Sequence, residues 1–378
     1  KRYFLYIMMV MNDMLNKFDS YTFFAAQHWN HTWERQHELI VRFARLIHKP
    51  IHICKPLGLL NYNPFSIMFI RKIIEYKKNV KLGHSKSENP IEKNMFFVGG
   101  CFVPLHCKLV GKLNYFLLKR KLHFSGNNFF WGTYINYTIY EFFKRSTFKV
   151  YDIAERRSLN PLVPNYVKHL ERKIVSEADV VFIDNHAAIE DYRNLNPNIY
   201  YIPQGVNVES MQVLGNPKRE YIGYIGNFHF AINYPFLKAL IKKNNKSPFL
   251  FVGSILDDRA NEIMALDNVV HIDKVQKEEL SNYLGKMKYG LIPYVINDVT
   301  VGVYPTKLFE YIAAGVPVVT TSLPEVIQYA DADYMQVVDE PIELNKTFTM
   351  NKCAELLSEN NWDTRWNEYI KQINKCLK

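Results

Sequence analysis

Paired cysteines, long apolar runs and metal-ligand spacings are all missing from this chain of 378 residues, and each absence removes a class of protein. Five cysteines, Cys54, Cys101, Cys107, Cys353 and Cys376, are odd in number and widely separated. No two stand at zinc-knuckle or redox spacing, so free thiols in a reducing compartment are expected. The opening apolar stretch, Tyr3–Met11, spans nine residues before Asn12 and Asp13. A bilayer crossing takes about 20, and no small-residue cleavage site follows. The sequence does not begin with Met, which reads as a trimmed or processed chain, and a cytoplasmic protein is the simplest expectation. Heptads and solenoid-length repeats are absent, as are helix-turn-helix, zinc-finger and RNA-recognition signatures, so nucleic acid is not the expected partner. No His, Cys or carboxylate cluster has ligand spacing. The one D-x-D, Asp331–Ala332–Asp333, falls in a polar turn after the last helix of the second half rather than at a strand end. Neither a metal nor an organic cofactor is therefore expected.

What remains has the composition of a folded protein. Hydrophobic residues make up 48%, ordinary for a globular chain, and the length exceeds what one core normally serves, so two domains are expected. Tyr and Phe number 25 each; aromatics fill cores and also line ligand clefts, so their number alone does not choose. The net charge of +10 is uneven: residues 1–205 hold 29 Lys and Arg against 16 Asp and Glu, and residues 206–378 hold 18 against 21. One reading of the basic half is a face for nucleic acid, a membrane surface or an anionic substrate; the other is scattered, solvated lysines.

Both halves alternate short apolar runs with helical periodicity. In the first, strands are expected at Tyr21–Gln27, Ile51–Cys54, Met95–Val98, Lys149–Ile153, Asp179–Asp184 and Ile199–Pro203. Helices are expected at Thr32–His48, 164–177 and 186–194, and the lysine-rich stretch 75–94 reads as a loop. In the second, strands are expected at Tyr221–Gly226, Pro248–Gly253, Val269–Asp273, Tyr289–Tyr294 and Pro317–Thr321, with helices near 234–244, 257–265, 277–287, 306–314 and 324–330. Such alternation implies parallel sheets covered on both faces. Gln204–Arg219, with Gly205, Gly215 and Pro217, reads as a linker. The boundaries that follow are 1–205, a linker 206–219, 220–345, and a helical tail 346–378 whose stripe Trp366, Ile370, Ile373 and Leu377 must pack on something, plausibly the domain junction.

The most informative stretch is 294–321, YVINDVTVGVYPTKLFEYIAAGVPVVTT. A strand ends near Tyr294, a flexible loop containing Gly302 and Tyr304 follows, and a helix starts with Thr306 as its N-cap and stops at Gly315 with Pro317 beyond. A loop feeding a helix N-terminus suits a diphosphate, because free N–H groups and the positive dipole end converge there. Lys307, Glu310 and Tyr311 fall on one helix face. Lys307 would neutralise phosphate or a sugar carboxylate and Glu310 would accept ribose hydroxyls; a plain Lys–Glu surface pair is the other reading.

PTKLFEYIAAGVPVVTT resembles the donor-site helix of GT-B glycosyltransferases, the large class related to glycosyltransferase family 4. The resemblance continues through YIGYIGNF (221–228), FLFVGS (249–254), YGLIPY (289–294), HWNHTWERQHEL (28–39), KVYDIAERRS (149–158) and EADVVFIDNHAAIEDYRNLNPNIYYIPQGVN (177–207), covering about residues 20–340. It is nearest to bacterial enzymes that build teichuronic acids, capsules and other surface polysaccharides. It implies an α/β fold of two Rossmann-like domains with parallel sheets facing a cleft, an acceptor domain first and a nucleotide-sugar domain second. It also implies metal-independent transfer of a sugar from a nucleoside diphosphate, UDP before others, to a glycan or lipid-linked hydroxyl. By position, Glu310 matches the ribose-gripping glutamate, and Gly302–Thr306 and Lys307 match the diphosphate and sugar contacts. Gly226 and Asn227 match the opposite phosphate turn, and Val275 and Gln276 the base-reading segment. Many retaining members carry a second glutamate eight positions before the ribose glutamate; here that position is Gly302, so retention or inversion stays open.

On the acceptor side, Asp152 and Glu155 lie just beyond an apolar strand, where ligands bind in open α/β sheets. Asp152 is the first choice for a base that takes the acceptor's proton; a cap or a partner for Arg156 or Arg157 is its structural reading. His28, after the first strand, is a candidate contact for acceptor or donor sugar, and His229, after the Gly226 turn, is one near the donor phosphates; each is also readable as structural. Lys108, Lys112, Lys119, Arg120 and Lys121, interleaved with Leu113, Tyr115, Phe116, Leu117 and Leu118, form a patch suited to anionic headgroups at the inner face of a membrane. A sugar-nucleotide epimerase of the same fold and an inactive scaffold are the alternatives.

Overall fold

A computed structural model describes residues 14–26, 29, 34–54, 91–99, 103, 107–154, 156–158, 163–213, 215, 217–304 and 306–377. The chain divides into two compact units. One comprises the residues up to Ile183, Ile189–Ile202 and those from Glu368 onward; the other comprises Asp184–Ala188 and Pro203–Asn367.

In the first unit, β1 (Ser20–Phe24), β2 (Ile51–Cys54), β3 (Met95–Val98), β4 (Asn128–Gly132), β5 (Phe148–Ile153), β6 (Val180–Ile183) and β7 (Ile199–Tyr201) form one sheet in the order β3-β2-β1-β4-β5-β6-β7. Every neighbouring pair is parallel, so each connection is a crossover. The crossovers include α1 (Arg35–Leu46), α2 (Lys108–Leu118), α3 (Tyr137–Phe143), α4 (Asn165–Glu177) and α5 (His186–Tyr192), the last with its first three residues in the other unit. Helix α1 opens on a reciprocal cap, in which the Glu34 N–H donates to His37 Nδ1 at 2.9 Å, and its apolar face delivers Leu39, Ile40 and Phe43 to the core. Phe43 meets Phe129 of β4 at 4.9 Å and Phe23 of β1 at 5.1 Å between ring centres. Such pairs add about 0.5–1.5 kcal/mol beyond their burial.

Strand β4 is the one first-sheet strand not foreseen. Its five residues, NFFWG, are all buried, as are those of the foreseen β1. Its first residue is tied in by Asn128 Oδ1, which accepts from Ser20 Oγ at 2.6 Å and Thr22 Oγ1 at 2.9 Å.

In the second unit, α6 (Val208–Met211), β8 (Tyr221–Ile225), α7 (Tyr234–Lys243), β9 (Phe249–Val252), α8 (Asn261–Met264), β10 (Val269–Ile272), α9 (Leu280–Leu284), β11 (Met287–Ile292), α10 (Thr306–Ala313), β12 (Val318–Thr320), α11 (Pro324–Ile327), β13 (Met335–Val337) and α12 (Cys353–Asn360) follow in sequence. The sheet order is β10-β9-β8-β11-β12-β13, again parallel throughout. Strand β13, unforeseen, has three residues. The tail is two helices, because Asn360 O accepts the Val206 N–H and Val206 O accepts the Trp362 N–H, which breaks the run before α13 (Trp362–Leu377). Gly205 permits this approach: a Cβ there would lie 2.8 Å from the Trp362 backbone.

Helix α13 returns its end to the first unit's core. Tyr369 packs on Phe182 at 4.4 Å and on Trp131 at 5.9 Å, and its hydroxyl donates to Asp152 Oδ1 at 3.4 Å. Asp152, 1% exposed, is forked by Arg35, with Nη2 at 2.8 Å from Oδ1 and Nε at 3.2 Å from Oδ2. The remaining Arg35 arm donates to Ile202 O at 2.7 Å. Two expectations are corrected here. A carboxylate so enclosed is placed as a structural anchor and not as a base for an acceptor hydroxyl, and its partner is neither Arg156 nor Arg157. Those pair with Asp191 and Glu171 at 2.9 Å each.

Removing one partner of a buried ion pair leaves the other charge desolvated, at about 3–5 kcal/mol. Asp152→Asn is expected to lower the melting temperature by roughly 10 °C, read by circular dichroism. A catalytic aspartate would instead lose turnover with its melting temperature intact.

Candidate functional site

In open parallel sheets, ligands bind beyond the carboxyl ends of the strands where the strand order reverses. In the second unit that point lies between β8 and β11, which are neighbours although three strands apart in sequence. Beyond β8 comes Gly226, beyond β9 comes Gly253, and both adopt positive φ, +139° and +146°. A Cβ on Gly253 would stand 2.1 Å from Gly226 O, so the two turns touch backbone to backbone. A Cβ on Gly226 would stand 2.5 Å from Lys307 Cε and 2.9 Å from its Nζ. Lys307, in the first turn of α10, thus arches back over the Gly226 turn.

Tyrosines hold that arch. Lys307 Nζ lies 5.7 Å from the ring centre of Tyr224 and 5.9 Å from that of Tyr294. The two hydroxyls are 3.3 Å apart, and Tyr224 Oη donates to Asn227 O at 3.2 Å. Burial works against a charge on Lys307, but Tyr294 and Glu310 outweigh it and hold its pKa above the ordinary value. No described carboxylate pairs with Lys307. Glu310, one turn along and half-buried, accepts no hydrogen bond at its carboxylate from a described residue. Tyr311 points the other way. Its hydroxyl accepts the Ile225 N–H at 2.9 Å and donates to Leu291 O at 3.3 Å, and its ring fits where Gly290 has no side chain. This clamps α10 across β8 and β11.

His229 completes the group. The Ala231 N–H donates to its Nδ1 at 3.2 Å, which leaves the proton of the neutral ring on Nε2. Burial, and then the charge of Lys307, lowers its pKa. Neutral His229 is thus a donor beside a cation.

The other sequence candidates lie apart from this cluster. Tyr304 stacks on Phe309 at 5.8 Å and meets the Tyr329 hydroxyl at 3.4 Å, facing the core. Gly302 is buried in the turn Thr300–Gly302, and the segment is pinned rather than flexible: Thr300 Oγ1 donates to Val295 O at 2.5 Å and accepts the Asn297 N–H at 2.9 Å. Thr306 is the first residue of α10 rather than its cap. Val275 and Gln276 follow β10, two strands from β8. Gln276 spends its N–H on Glu279 Oε2 and its carbonyl on the Glu279 N–H. His28 and Glu155 lie outside the described residues. No group of metal-ligating side chains occurs among the described residues. Asp331 and Asp333 instead fasten Thr349 and Lys352. Tyr224 and Gly253 were missed in the sequence reading; the signals available were a tyrosine two residues before Gly226 and a glycine closing FLFV.

Residues 219–347 match the family "Glycosyl transferases group 1", so this stretch of the second unit is a domain of that family. TuaH of Bacillus subtilis (strain 168), named for a glycosyltransferase role in teichuronic acid biosynthesis, is 24% identical over 226 residues, covering 53% of this chain. The chain spans 56% of that relative's length. A glycosyltransferase structure from Rickettsia africae ESF-5 matches with TM-score 0.63 at 10% identity over 96% of this chain and 100% of that one. Anabaena Alr3699/HepE in complex with UDP and glucose matches with TM-score 0.53 at 9% identity over 95% and 94%. At these identities the likeness is one of fold, and the fold is GT-B.

Because the folded state holds the His229 pKa below 6.5, the unfolded chain binds more protons just under that pH. This residue's contribution to stability therefore falls as pH drops below about 6.5. In Lys307→Met the Coulomb part of the depression is removed. The His229 midpoint, followed by NMR, is expected to rise towards 6.5; an unchanged midpoint would separate the two residues.

Proposed function

From a group 1 glycosyl transferase domain on a GT-B fold, we propose that the chain is a metal-independent glycosyltransferase. It takes a sugar from a nucleoside diphosphate, first of all UDP, and passes it to a hydroxyl of a glycan or lipid-diphosphate-linked acceptor during bacterial surface-polysaccharide synthesis. The observation that carries this reading is Lys307, a charged ammonium held by Tyr224 and Tyr294 over the Gly226 turn, with Glu310 acting on it only through space and no described carboxylate in ion-pair contact. A diphosphate supplies the missing negative charge. Half-buried Glu310, one turn away, suits ribose hydroxyls, and His229 Nε2–H suits a phosphate or sugar oxygen.

In the reaction the acceptor oxygen bonds to the anomeric carbon while the bond from that carbon to the diphosphate oxygen breaks. The nucleoside diphosphate leaves with the electron pair, and the hydroxyl proton passes to a base. Charge growing on the leaving oxygen is stabilised where Lys307 and the positive end of α10 meet it, and preorganised groups of this kind supply a large share of catalysis. The position eight residues before Glu310 is Gly302, which offers no carboxylate to the sugar. The second unit is assigned the donor and the first the acceptor, with the basic stretch 108–121 turned to an anionic membrane at its cytoplasmic face.

A thermal-shift series with UDP, GDP, ADP, dTDP and CMP, with and without EDTA, tests the donor half. One diphosphate at 100 times its dissociation constant is expected to add about 2.7 kcal/mol to wild type whether or not EDTA is present, and little to Glu310→Ala. Silence from every nucleotide would move the chain to a scaffold role.

A further inference from the structure

Helix α2 is inside out on one face. Its buried side carries Gly111, Asn114, Tyr115 and Leu118, and a Cβ on Gly111 would stand 2.8 Å from Tyr137, so α2 and α3 pack at close range. At about 100° per residue, Leu109, Leu113, Phe116 and Leu117 fall within an arc of about 100° on the opposite side. They are 79%, 48%, 59% and 43% exposed. Lys108, Lys112 and Lys119 run along one border of that arc.

The end of the helix adds a second feature. The Phe124 N–H donates to Lys119 O at 2.9 Å and the His123 N–H to Arg120 O at 3.2 Å, with His123 at φ +44°. This left-handed stop folds the chain back over itself. It opens a groove of about 410 Å³ lined by Tyr115, Lys119, Arg120, His123, Ser125 and Arg145, among others. Glu141 answers Lys144 and Arg145 at 2.7 and 2.5 Å. No described carboxylate pairs with Lys108, Lys112, Lys119, Arg120 or Lys121. Lys119 Nζ instead sits 4.8 Å from the centre of the exposed Phe116 ring, which joins the charged groove to the apolar face.

We propose that α2 lies in the interface of an anionic bilayer, with Leu109, Leu113, Phe116 and Leu117 inserted among the acyl chains and the groove at its end closed on a lipid headgroup phosphate. The inference rests on the membrane contact in the proposed function and gives it a mode of binding. Charge complementarity selects the occupant, because five uncompensated cations beside an apolar strip match an anionic lipid surface, where insertion and Coulomb attraction add. A protein partner with an apolar groove would leave those cations without a counter-charge. No helix among the described residues is long and apolar enough to cross a membrane, so α2 lies on the surface.

The test is co-sedimentation of the full chain with phosphatidylcholine vesicles with and without phosphatidylglycerol. Wild type is expected to partition onto the phosphatidylglycerol vesicles. Leu113→Glu/Phe116→Glu and Lys119→Glu/Arg120→Glu are each expected to weaken partitioning about tenfold or more. Raising the salt is expected to weaken the wild type without abolishing its binding, since insertion does not depend on charge. Melting temperatures and nucleotide shifts of the same preparations report separately on the fold and the donor site. Wild type remaining in the supernatant, or a variant sedimenting like wild type while its melting temperature is normal, overturns the inference.

Discussion

Two strand ends, β8 and β9, close so tightly that the carbonyl of Gly226 occupies the space a side chain on Gly253 would need, and the arrangement of the second unit's candidate site follows from that contact. With both residues at positive φ, a conformation that costs glycine little and other residues much, the Gly226 turn presents bare backbone. Lys307 folds across it for the same reason. Had the turn carried a Cβ, it would collide with Lys307 Cε and Nζ, and the ammonium would be displaced. Cation–π contact holds a charge in place without cancelling it, which distinguishes Lys307 from a lysine fixed by a carboxylate. Tyr311 supplies the rigidity, since its hydroxyl is bonded to both central strands.

The first unit treats its charges in the opposite way. At and just beyond the end of β5, Asp152 is matched by Arg35, Arg156 by Asp191 and Arg157 by Glu171, and Glu171 also accepts from Tyr151 and Tyr192 at 2.8 Å each. Buried ions of this kind are tolerable only when every partner is present. They tie the returning helix α13 and the strand β5 into one core, while Lys108, Lys112, Lys119, Arg120 and Lys121 on and just after α2 have no described carboxylate partner.

Much of the architecture was legible because local and global signals agree. Helix α10 begins beside Pro305 and ends on Gly315, whose N–H and that of Val316 satisfy the carbonyls of Ile312 and Tyr311. Most strands announced themselves as apolar runs between polar turns. The exceptions are β4 and β13; neither full burial nor a length of three residues accounts for them, since β1 is as buried and β7 as short, and both were foreseen. Within the candidate site, His229 could be read in advance as a neighbour of the Gly226 turn from their spacing, whereas the roles of Tyr304 and Thr306 were misjudged. Chain position does not say which way a side chain near a helix start will face.

The amino-acid sequence alone determined two α/β units, their parallel sheets, the missing second glutamate at Gly302 and the charge imbalance between halves. Those properties reside in residue type and spacing along one segment. Only the tertiary structure decided that Asp152 is an anchor, that Lys307 bends over Gly226, and that the apolar stripe of α2 faces outward. Arg35 reaches Asp152 across 117 positions of sequence, and Gly253 meets Gly226 through pairing of strands. Contacts between distant segments are set by how sheets and helices pack, and no local pattern encodes them.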